Sequence, residues 1–410
     1  MTTFTALWDS LWPVGRDPGT GGYRRYSWTP ADASCRAWFE AAAAERNLPA
    51  ASDRNGNLWA WWDPPGGSGR SHRGSILTGS HLDSVPDGGA FDGPLGLVSA
   101  FSAIDELRSD GFVPSRPIAV AAFTEEEGAR FGVACLGSRL LTGAIDPATA
   151  RQLRDEDGVT LAEAMKGAGH DPDLIGPEAE LLSDIAAYVE LHIEQGRKLA
   201  VMEAPIGLAE GIWPHGRWRL DFDGQADHAG TAALDDRRDP MLPYAATALA
   251  ARQIAAGTGA LATFGKIVAE PGAANAVCSR VTAWLDARAP DPAILDGTVN
   301  GVLAAAAEAA AAHNVTVSAR PESSTPAVRF DQDLTARLER SLVACGRFAP
   351  VLPTGAGHDA GILSAVLPAA MLFVRNPSGV SHSPAEYADP ADCAIGVSAL
   401  AAVLRDLAGP

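Results

Sequence analysis

Residues 77–96 read LTGSHLDSVPDGGAFDGPLG, and this stretch decides how the first half of the chain folds. An apolar run over 75–80 ends just before His81; Asp83 follows, and Asp92 comes nine positions later inside a cluster of glycines. A short apolar run bounded by turn residues predicts a buried strand. A core strand has no need of acids and a polar loop has no need of a histidine, so we expect functional groups at the end of this strand.

Three further apolar runs share this design, because ionisable residues follow each of them at once. Helix-like stretches lie between the runs, which predicts an α/β fold with a mixed, mostly parallel sheet flanked by helices. In such a sheet, functional groups gather beyond the carboxyl ends of the strands, so the four sets are expected to converge. The runs are 117–123 (followed by Glu125, Glu126 and Glu127), 185–191 (followed by His192, Glu194 and Gln195) and 368–374 (followed by His382).

The middle of the chain has a different pattern. Residues 217–223 and 281–287 alternate strictly between apolar and polar side chains, which is typical of half-exposed strands. An Ala-rich, helix-like segment follows each of them. We therefore predict a ferredoxin-like α+β domain (βαββαβ) over 212–325, inserted into a larger catalytic domain formed by 1–211 and 326–410.

The composition of the chain excludes several classes of protein and several kinds of binding partner. The 410 residues suffice for two domains, and a net charge of −18 argues against nucleic acid or an anionic membrane as partner. The five cysteines form no C-x-x-C pair, and the N-terminal residues lack the pattern of a signal peptide. No apolar stretch is long enough to span a membrane. We expect a cytoplasmic protein with reduced thiols.

Histidine and carboxylate without cysteine form a ligand set for zinc, manganese or a similar divalent ion. A pair of such ions needs a bridging carboxylate, and Asp92 is the candidate because its glycine neighbours allow the backbone to approach closely. Asp83 is placed to orient the imidazole of His81. Adjacent side chains in the run of three glutamates cannot all face one point, so one can bind metal while its neighbour acts as a general base.

The motifs GSHLDSVPDGGAFDG, TEEEGARF, ELHIEQG, GQADHAG and SHSPAEY together resemble the N-carbamoyl-L-amino-acid hydrolase and allantoate amidohydrolase family. This is the amidase branch of the aminoacylase and carboxypeptidase-like metallopeptidase clan. The resemblance runs from about residue 55 to the C-terminus. It implies a dimetal aminopeptidase-like catalytic domain, an inserted dimerisation domain, a homodimer, and two divalent ions per subunit (Zn, Mn, Co or Ni).

The resemblance also implies a role for each residue of the catalytic centre. Glu126 is the general base that takes a proton from water lying between the metals, and Asp83 supports His81. The reaction is hydrolysis of the carbamoyl C–N bond of an N-carbamoyl-L-amino acid or of allantoate, with release of ammonia and CO2. The implied metal ligands are His81, Asp92 (the bridge), Glu127, His192 and His382.

Substrate contacts follow from the same resemblance. His228 in GQADHAG is expected to reach the partner subunit's site and to stabilise the oxyanion. Asn275 and Arg288 are expected to hold the substrate carboxylate, with Gln195 and His358 as further contacts.

Four questions stay open on the sequence. Read without the family, Arg288 would form a salt bridge with Asp286 at the end of a strand. The scaffold also suits an aminoacylase or dipeptidase, or a binding protein that has lost activity. Within the amidohydrolases, these residues do not distinguish allantoate from N-carbamoyl amino acids.

Overall fold

The computed structural model describes residues 3–66 and 72–409. Its strands follow the predicted runs closely, and the apolar segment that leads to His81 is a strand along its whole length. The strands are β1 (Ala50–Ser52), β2 (Leu58–Trp62), β3 (Ser75–His81), β4 (Ile118–Phe123), β5 (Ile185–Ile193), β6 (Ile206–Ile212), β7 (His215–Asp223), β8 (Asp227–His228), β9 (Leu261–Glu270), β10 (Ala276–Val277), β11 (Arg280–Arg288), β12 (Thr316–Thr325), β13 (Val328–Arg329), β14 (Val351–Thr354) and β15 (Ala369–Val374).

Helices fill most of the intervals, and several are preceded by a Thr or Asp whose side chain accepts a hydrogen bond from a main-chain N–H of the first turn. A 3₁₀ turn covers Leu234–Asp236. The helices are α1 (Phe4–Leu11), α2 (Pro30–Glu45), α3 (Pro94–Ser109), α4 (Leu136–Thr142), α5 (Pro147–Arg151), α6 (Leu161–Gly167), α7 (Ala179–Ser183), α8 (Lys198–Val201), α9 (Met241–Thr258), α10 (Pro292–Ala312), α11 (Gln332–Ala344), α12 (Asp359–Leu363) and α13 (Pro390–Ala408).

The chain divides into two compact units, Met1–Gly211 with Arg329–Pro410, and Ile212–Val328. The first contains the large sheet, in the order β1-β2-β4-β3-β5-β15-β6-β13, with β14 beside β6. Its central strands β4, β3, β5 and β15 run parallel, whereas β1, β2 and β6 pair antiparallel with their neighbours. The predicted mixed α/β fold is confirmed.

The central strands of this unit are apolar along nearly their whole length because helices cover both faces of the sheet. Every residue of β3, β4 and β15 is buried, and α3 and α13 pack against each other and against β3. Gly79 in β3 has a φ of +145°, and a Cβ there would overlap the carbonyl oxygen of Ala121 in β4. The close pairing of β3 and β4 therefore requires glycine at this position.

The second unit is an antiparallel sheet in the order β12-β7-β11-β9, with α9 and α10 packed against each other. Numbered within the unit, this order is 4-1-3-2, the ferredoxin-like topology that the sequence predicts. Alternate residues of β7 and β11, such as Leu220, Phe222, Val281 and Leu285, form its core with the helices. That this unit mediates dimerisation stays a prediction.

Two further observations concern the chain as a whole. All five cysteines are free. Among the residues that the structure describes, no helix is both long enough and apolar enough to cross a bilayer.

Candidate active site

Two strand ends and one loop meet in the first group of candidate ligands. His81 is the last residue of β3, His192 lies near the end of β5, and Asp92 precedes α3. One oxygen of Asp92, Oδ1, lies 3.5 Å from Nε2 of His81 and 3.2 Å from Nε2 of His192. All three side chains are buried, and their ligand atoms lie within 4.8 Å of one another, so they could hold one ion.

A second group uses the other oxygen of the same aspartate. Oδ2 of Asp92 lies 3.4 Å from Nε2 of His382, which is 3.5 Å from Oε2 of Glu127. The His382 side chain is 50% exposed, so this group opens to solvent whereas the first is enclosed. Because each carboxylate oxygen of Asp92 faces one group, this aspartate could serve both groups if each held an ion.

The hydrogen bonds of the buried histidines indicate which nitrogen is available to a metal. Nδ1 of His81 lies 3.1 Å from the main-chain oxygen of Asp83, and Nδ1 of His192 lies 2.9 Å from that of Ile193. A carbonyl oxygen only accepts, so the proton of each neutral ring is on Nδ1 and Nε2 carries a lone pair. Within the described part of the chain, neither buried Nε2 has a hydrogen-bond partner. A divalent cation fits these two atoms.

The carboxyl groups around the two ligand groups are buried and lie close together, and these surroundings shift their pKa values. Burial raises the pKa of Glu126 and of Glu127 well above the usual range, and nearby acids add to it. Burial opposes ionisation of Asp92 too, but the two facing imidazoles hold its pKa well below the usual range. Burial would lower the pKa of His81, yet Glu126 and Asp92 outweigh it and raise that pKa. Bound cations would supply the positive charge that this acid cluster needs.

The three adjacent glutamates point to three different environments. Glu127 belongs to the second group, whereas Oε1 of Glu125 accepts the main-chain N–H groups of Arg130 and Phe131 at 2.9 and 2.8 Å. Glu126 belongs to neither group: its Oε2 lies 3.8 Å from Nε2 of His81, and its Oε1 accepts a hydrogen bond from the Cys135 thiol. Glu126 is thus an acid beside the ligands whose own oxygens are not needed to complete either group.

Asp83 acts on the site in a way that its sequence position did not show. The His81 imidazole is held by the main-chain oxygen of Asp83, because the carboxylate oxygen is further away, at 3.6 Å. The carboxylate instead accepts the main-chain N–H groups of Glu126 and Glu127, at 3.1 and 3.0 Å. Asp83 therefore ties the end of β3 to the loop that carries the two glutamates.

Gln195 supports the side chain of Asp92, and Glu386 supports its main chain. Gln195, predicted to contact substrate, donates a hydrogen bond to Oδ2 of Asp92 at 2.8 Å. Glu386, which the sequence analysis missed, accepts the main-chain N–H groups of Phe91 and Asp92, both at 2.9 Å. Burial, followed by the charge of Asp92, raises the pKa of Glu386 to about 7. Its only signal in the sequence was its place in SHSPAEY.

A further buried acid lies behind the first group and was also missed. Glu190 is buried in β5 two residues before His192, and its oxygens accept hydrogen bonds from Ser80 and from the main chain of Ala360. His358, predicted as a substrate contact, is buried with its ring centroid 4.5 Å from that of His192. Glu190, His192 and His358 also lie close enough to hold an ion. A glutamate inside so apolar a strand was the available clue.

The remaining predicted residues belong to the second unit. His228 is exposed in β8, and its neighbour Ala229 donates a hydrogen bond to the main-chain oxygen of Asn275 at 3.0 Å. Arg288 ends β11, and its Nε lies 2.8 Å from Oδ1 of Asp286, so the ion pair considered from the sequence is present. The roles of these three residues toward a substrate stay predictions.

An α/β unit that carries two histidine–carboxylate groups joined by one aspartate defines the class of metal-dependent hydrolases. The chain belongs to the peptidase family M20/M25/M40, whose family model matches residues 77–406.

Individual relatives are more specific. An N-carbamoyl-L-amino acid amidohydrolase of Geobacillus stearothermophilus is 36% identical over 403 residues, covering 96% of each chain. An allantoate amidohydrolase of Escherichia coli is 32% identical over 403 residues, covering 96% of this chain and 95% of its own. The crystal structure of a hydantoinase/carbamoylase family amidase from Burkholderia vietnamiensis covers 100% of this chain and 98% of its own, with a TM-score of 0.88 and 28% identity. The predicted family is confirmed.

Proposed function

We propose that this protein is a metal-dependent amidohydrolase that cleaves the carbamoyl C–N bond of N-carbamoyl-L-amino acids or of allantoate. The observation that carries the proposal is the pair of ligand groups that share Asp92, with Glu126 beside them. The relatives named as N-carbamoyl-L-amino acid and allantoate amidohydrolases support the choice of bond.

His81, Asp92 and His192 would hold one divalent ion and Asp92, Glu127 and His382 a second (zinc, manganese, cobalt or nickel); bound there, the ions would supply Lewis acidity toward the substrate oxygen and would lower the pKa of water. Glu126 accepts the proton of the attacking water and returns it to the leaving nitrogen.

His228 is suited to stabilise the oxyanion. The main-chain N–H of Gly230 donates to Nδ1 of His228 at 3.0 Å, so the proton of the neutral ring is on Nε2. The exposed ring therefore offers a hydrogen-bond donor. Arg288 and Asn275 hold the substrate carboxylate in this proposal, and an N-carbamoyl amino acid yields the free L-amino acid, CO2 and ammonia.

We further infer a cytoplasmic homodimer, in which the unit Ile212–Val328 joins the subunits. The free cysteines are consistent with a reducing compartment.

Replacement of Glu126 by Gln tests the proposal. The variant should keep two equivalents of metal, measured by mass spectrometry of the purified protein, while kcat falls about 10²–10⁴-fold. Glu125→Gln is the matched control: it is equally buried, but its side chain bonds the main chain of Arg130 and Phe131, so its kcat should stay within a few fold of the wild type.

A substrate panel tests the bond that is cleaved. N-carbamoyl-L-amino acids, allantoate, N-acetyl amino acids and dipeptides are compared on the apoenzyme reloaded with Zn, Mn, Co or Ni. A preference for the ureido compounds supports the proposal, whereas faster hydrolysis of the N-acetyl amino acids or dipeptides makes the protein an aminoacylase or a dipeptidase. For the Glu126→Gln test described above, a kcat close to that of the wild type would show that Glu126 is not the general base.

A further inference from the structure

A cavity of about 410 Å³ lies in the first unit at the opposite end of the sheet from the metal ligands. Ile76, near the start of β3, lines it, whereas His81 ends the same strand. Ala187, near the start of β5, also lines it, and His192 lies toward the other end of that strand. Five residues of strand span about 17 Å, so a ligand in this cavity would be separate from the catalytic centre.

The floor of the cavity is apolar. Ile76, Ala187, Leu334 and Leu407 line it, and all four side chains are buried. They come from two strands and from the helices α11 and α13, whose packing is part of the main core. Small-molecule sites are usually concave, are lined mainly by apolar side chains and have volumes in the range of this cavity.

Three arginines line the same cavity, which is unexpected in a chain with a net charge of −18. Arg337 and Arg340 lie three residues apart on α11 and so share one face of the helix. Arg116 precedes β4, and the main chain on both sides of it is fixed: Ser115 N donates to Ala408 O at 2.8 Å, and Ile76 N to Pro117 O at 2.9 Å.

The charges of the lining leave a surplus of unpaired guanidinium groups. Arg337 bonds Asp406 through Nε, at 2.7 Å, and Nη2, so its charge is balanced while other N–H donors remain. Arg116 and Arg340 have no ion-pair partner within 4 Å in the described ranges, and Asp333 is the one acid in the lining. Solvated surface arginines would explain each residue singly, but not three of them around one apolar concavity.

We propose that this cavity binds a small organic anion, a carboxylate or a phosphate monoester with a compact apolar body. The apolar part occupies the floor, and the anionic group accepts hydrogen bonds from Arg116 and Arg340, whose planar guanidinium groups suit both kinds of anion. The proposal is independent of the proposed function, because none of these residues belongs to the catalytic centre.

The test measures binding of hexanoate, phenyl phosphate, inorganic phosphate and 1-hexanol to the metal-loaded full-length protein by isothermal titration calorimetry. Hexanoate or phenyl phosphate should bind the wild type, and the double variant Arg116→Gln/Arg340→Gln should bind it at least about tenfold more weakly, since two charge-assisted bonds are lost. Arg252→Gln/Arg320→Gln, at exposed positions of α9 and β12, is the control for the loss of two positive charges and should bind as the wild type does.

The outcomes separate the proposal from binding elsewhere. Equal affinity of the wild type and the double variant would place the anion at another site, such as the metal centre, and overturn the proposal. Binding of 1-hexanol as tight as that of hexanoate would show that the arginines play no part, and the absence of binding by both organic anions would also overturn it. Tighter binding of phenyl phosphate than of hexanoate would identify the phosphate monoester as the preferred class, and the reverse order the carboxylate.

Discussion

At the scale of single residues, the position of Asp92 depends on a second acid that touches no candidate ligand atom. Glu386 accepts the main-chain N–H groups of Phe91 and Asp92 through one oxygen, and its other oxygen accepts the Ser381 hydroxyl. The glycine-rich loop before Asp92 is not part of a helix or a strand, so the Glu386 carboxyl fixes its main chain instead. Asp83 does the same for the loop that carries Glu126 and Glu127.

A pair of substitutions at Glu386 measures this support. Glu386→Ala leaves two buried main-chain N–H groups without an acceptor, so the free energy of unfolding should fall by about 2–4 kcal/mol. Metal affinity should also weaken by about 10–100-fold, because Asp92 is no longer held. Glu386→Gln keeps an acceptor oxygen, so its free energy of unfolding and its metal affinity should both fall less than those of Glu386→Ala. Urea denaturation and metal titration check the two quantities, and equal effects of Ala and Gln would contradict the account.

At the scale of the elements, the pairing of β3 with β4 determines where His81 lies. The positive φ of Gly79 and the nearby Ala121 carbonyl oxygen leave no room for a side chain. Gly79→Ala should therefore lower the free energy of unfolding by about 3 kcal/mol. It should also reduce metal binding, because His81 is two residues further along the strand.

Gly297 provides the comparison for Gly79. It lies inside α10, is exposed, and has no atom within 4 Å of the position that an alanine methyl group would take. Gly297→Ala should raise the free energy of unfolding by about 0.5–1 kcal/mol, because alanine has less freedom to lose in a helix. Thermal and urea denaturation of both variants check the contrast, and a similar loss in both would show that the strand contact is unimportant.

The turn between β1 and β2 predicts a dependence of stability on pH. Burial raises the pKa of Asp53 from 3.8 to about 6, although hydrogen bonds from Asn57 and Trp59 oppose the rise. The folded state then binds this proton more tightly than the unfolded chain. Stability should fall as the pH rises from about 4 to about 6, by roughly 3 kcal/mol for this group. Below about pH 4, Asp53 is protonated in both the folded and the unfolded state, so it does not affect stability. Above about pH 6, the full loss of roughly 3 kcal/mol is present.

Urea denaturation of the wild type and of Asp53→Asn across this pH range isolates the contribution. The variant loses an acceptor for Asn57 and Trp59, so it is less stable at low pH, but its stability should vary less with pH. Parallel curves for the two proteins would contradict the raised pKa.

At the scale of the whole molecule, the proposed homodimer predicts that two inactive variants restore activity when their subunits pair in a mixed dimer. If His228 of each subunit serves the partner subunit's site, Glu126→Gln and His228→Ala subunits complement each other in a mixed dimer. One site of each such dimer has both groups intact. Random pairing of equal amounts therefore restores activity at about a quarter of all sites.

Coexpression of the two variants followed by a turnover assay checks the prediction. Recovery to about a quarter of the wild-type kcat supports sharing of His228 between subunits. If His228 acts within its own subunit, no site in the mixed dimer is intact and activity stays at the level of the separate variants. Coexpression of Glu126→Gln with Glu126→Ala is the control and should recover nothing.

Much of the fold and part of the site could be predicted from the sequence, because they depend on local patterns. The apolar runs located β3, β4, β5 and β15 within about two residues, and strict alternation located β7 and β11. Glu190 could not be found in this way. Its burial is a property of the assembled core, where the Ser80 hydroxyl donates a hydrogen bond to it.

The class of protein follows from the sequence alone, since the order of its strand-end histidines and carboxylates is a covalent property of the chain. The pairing of the ligands, in contrast, depends on the tertiary structure. His81 and His192 face one oxygen of Asp92, Glu127 and His382 lie by the other, and Glu126 is left beside them. Such pairings are distances between residues far apart along the chain, and those distances exist only once the parallel strands have brought their carboxyl ends together.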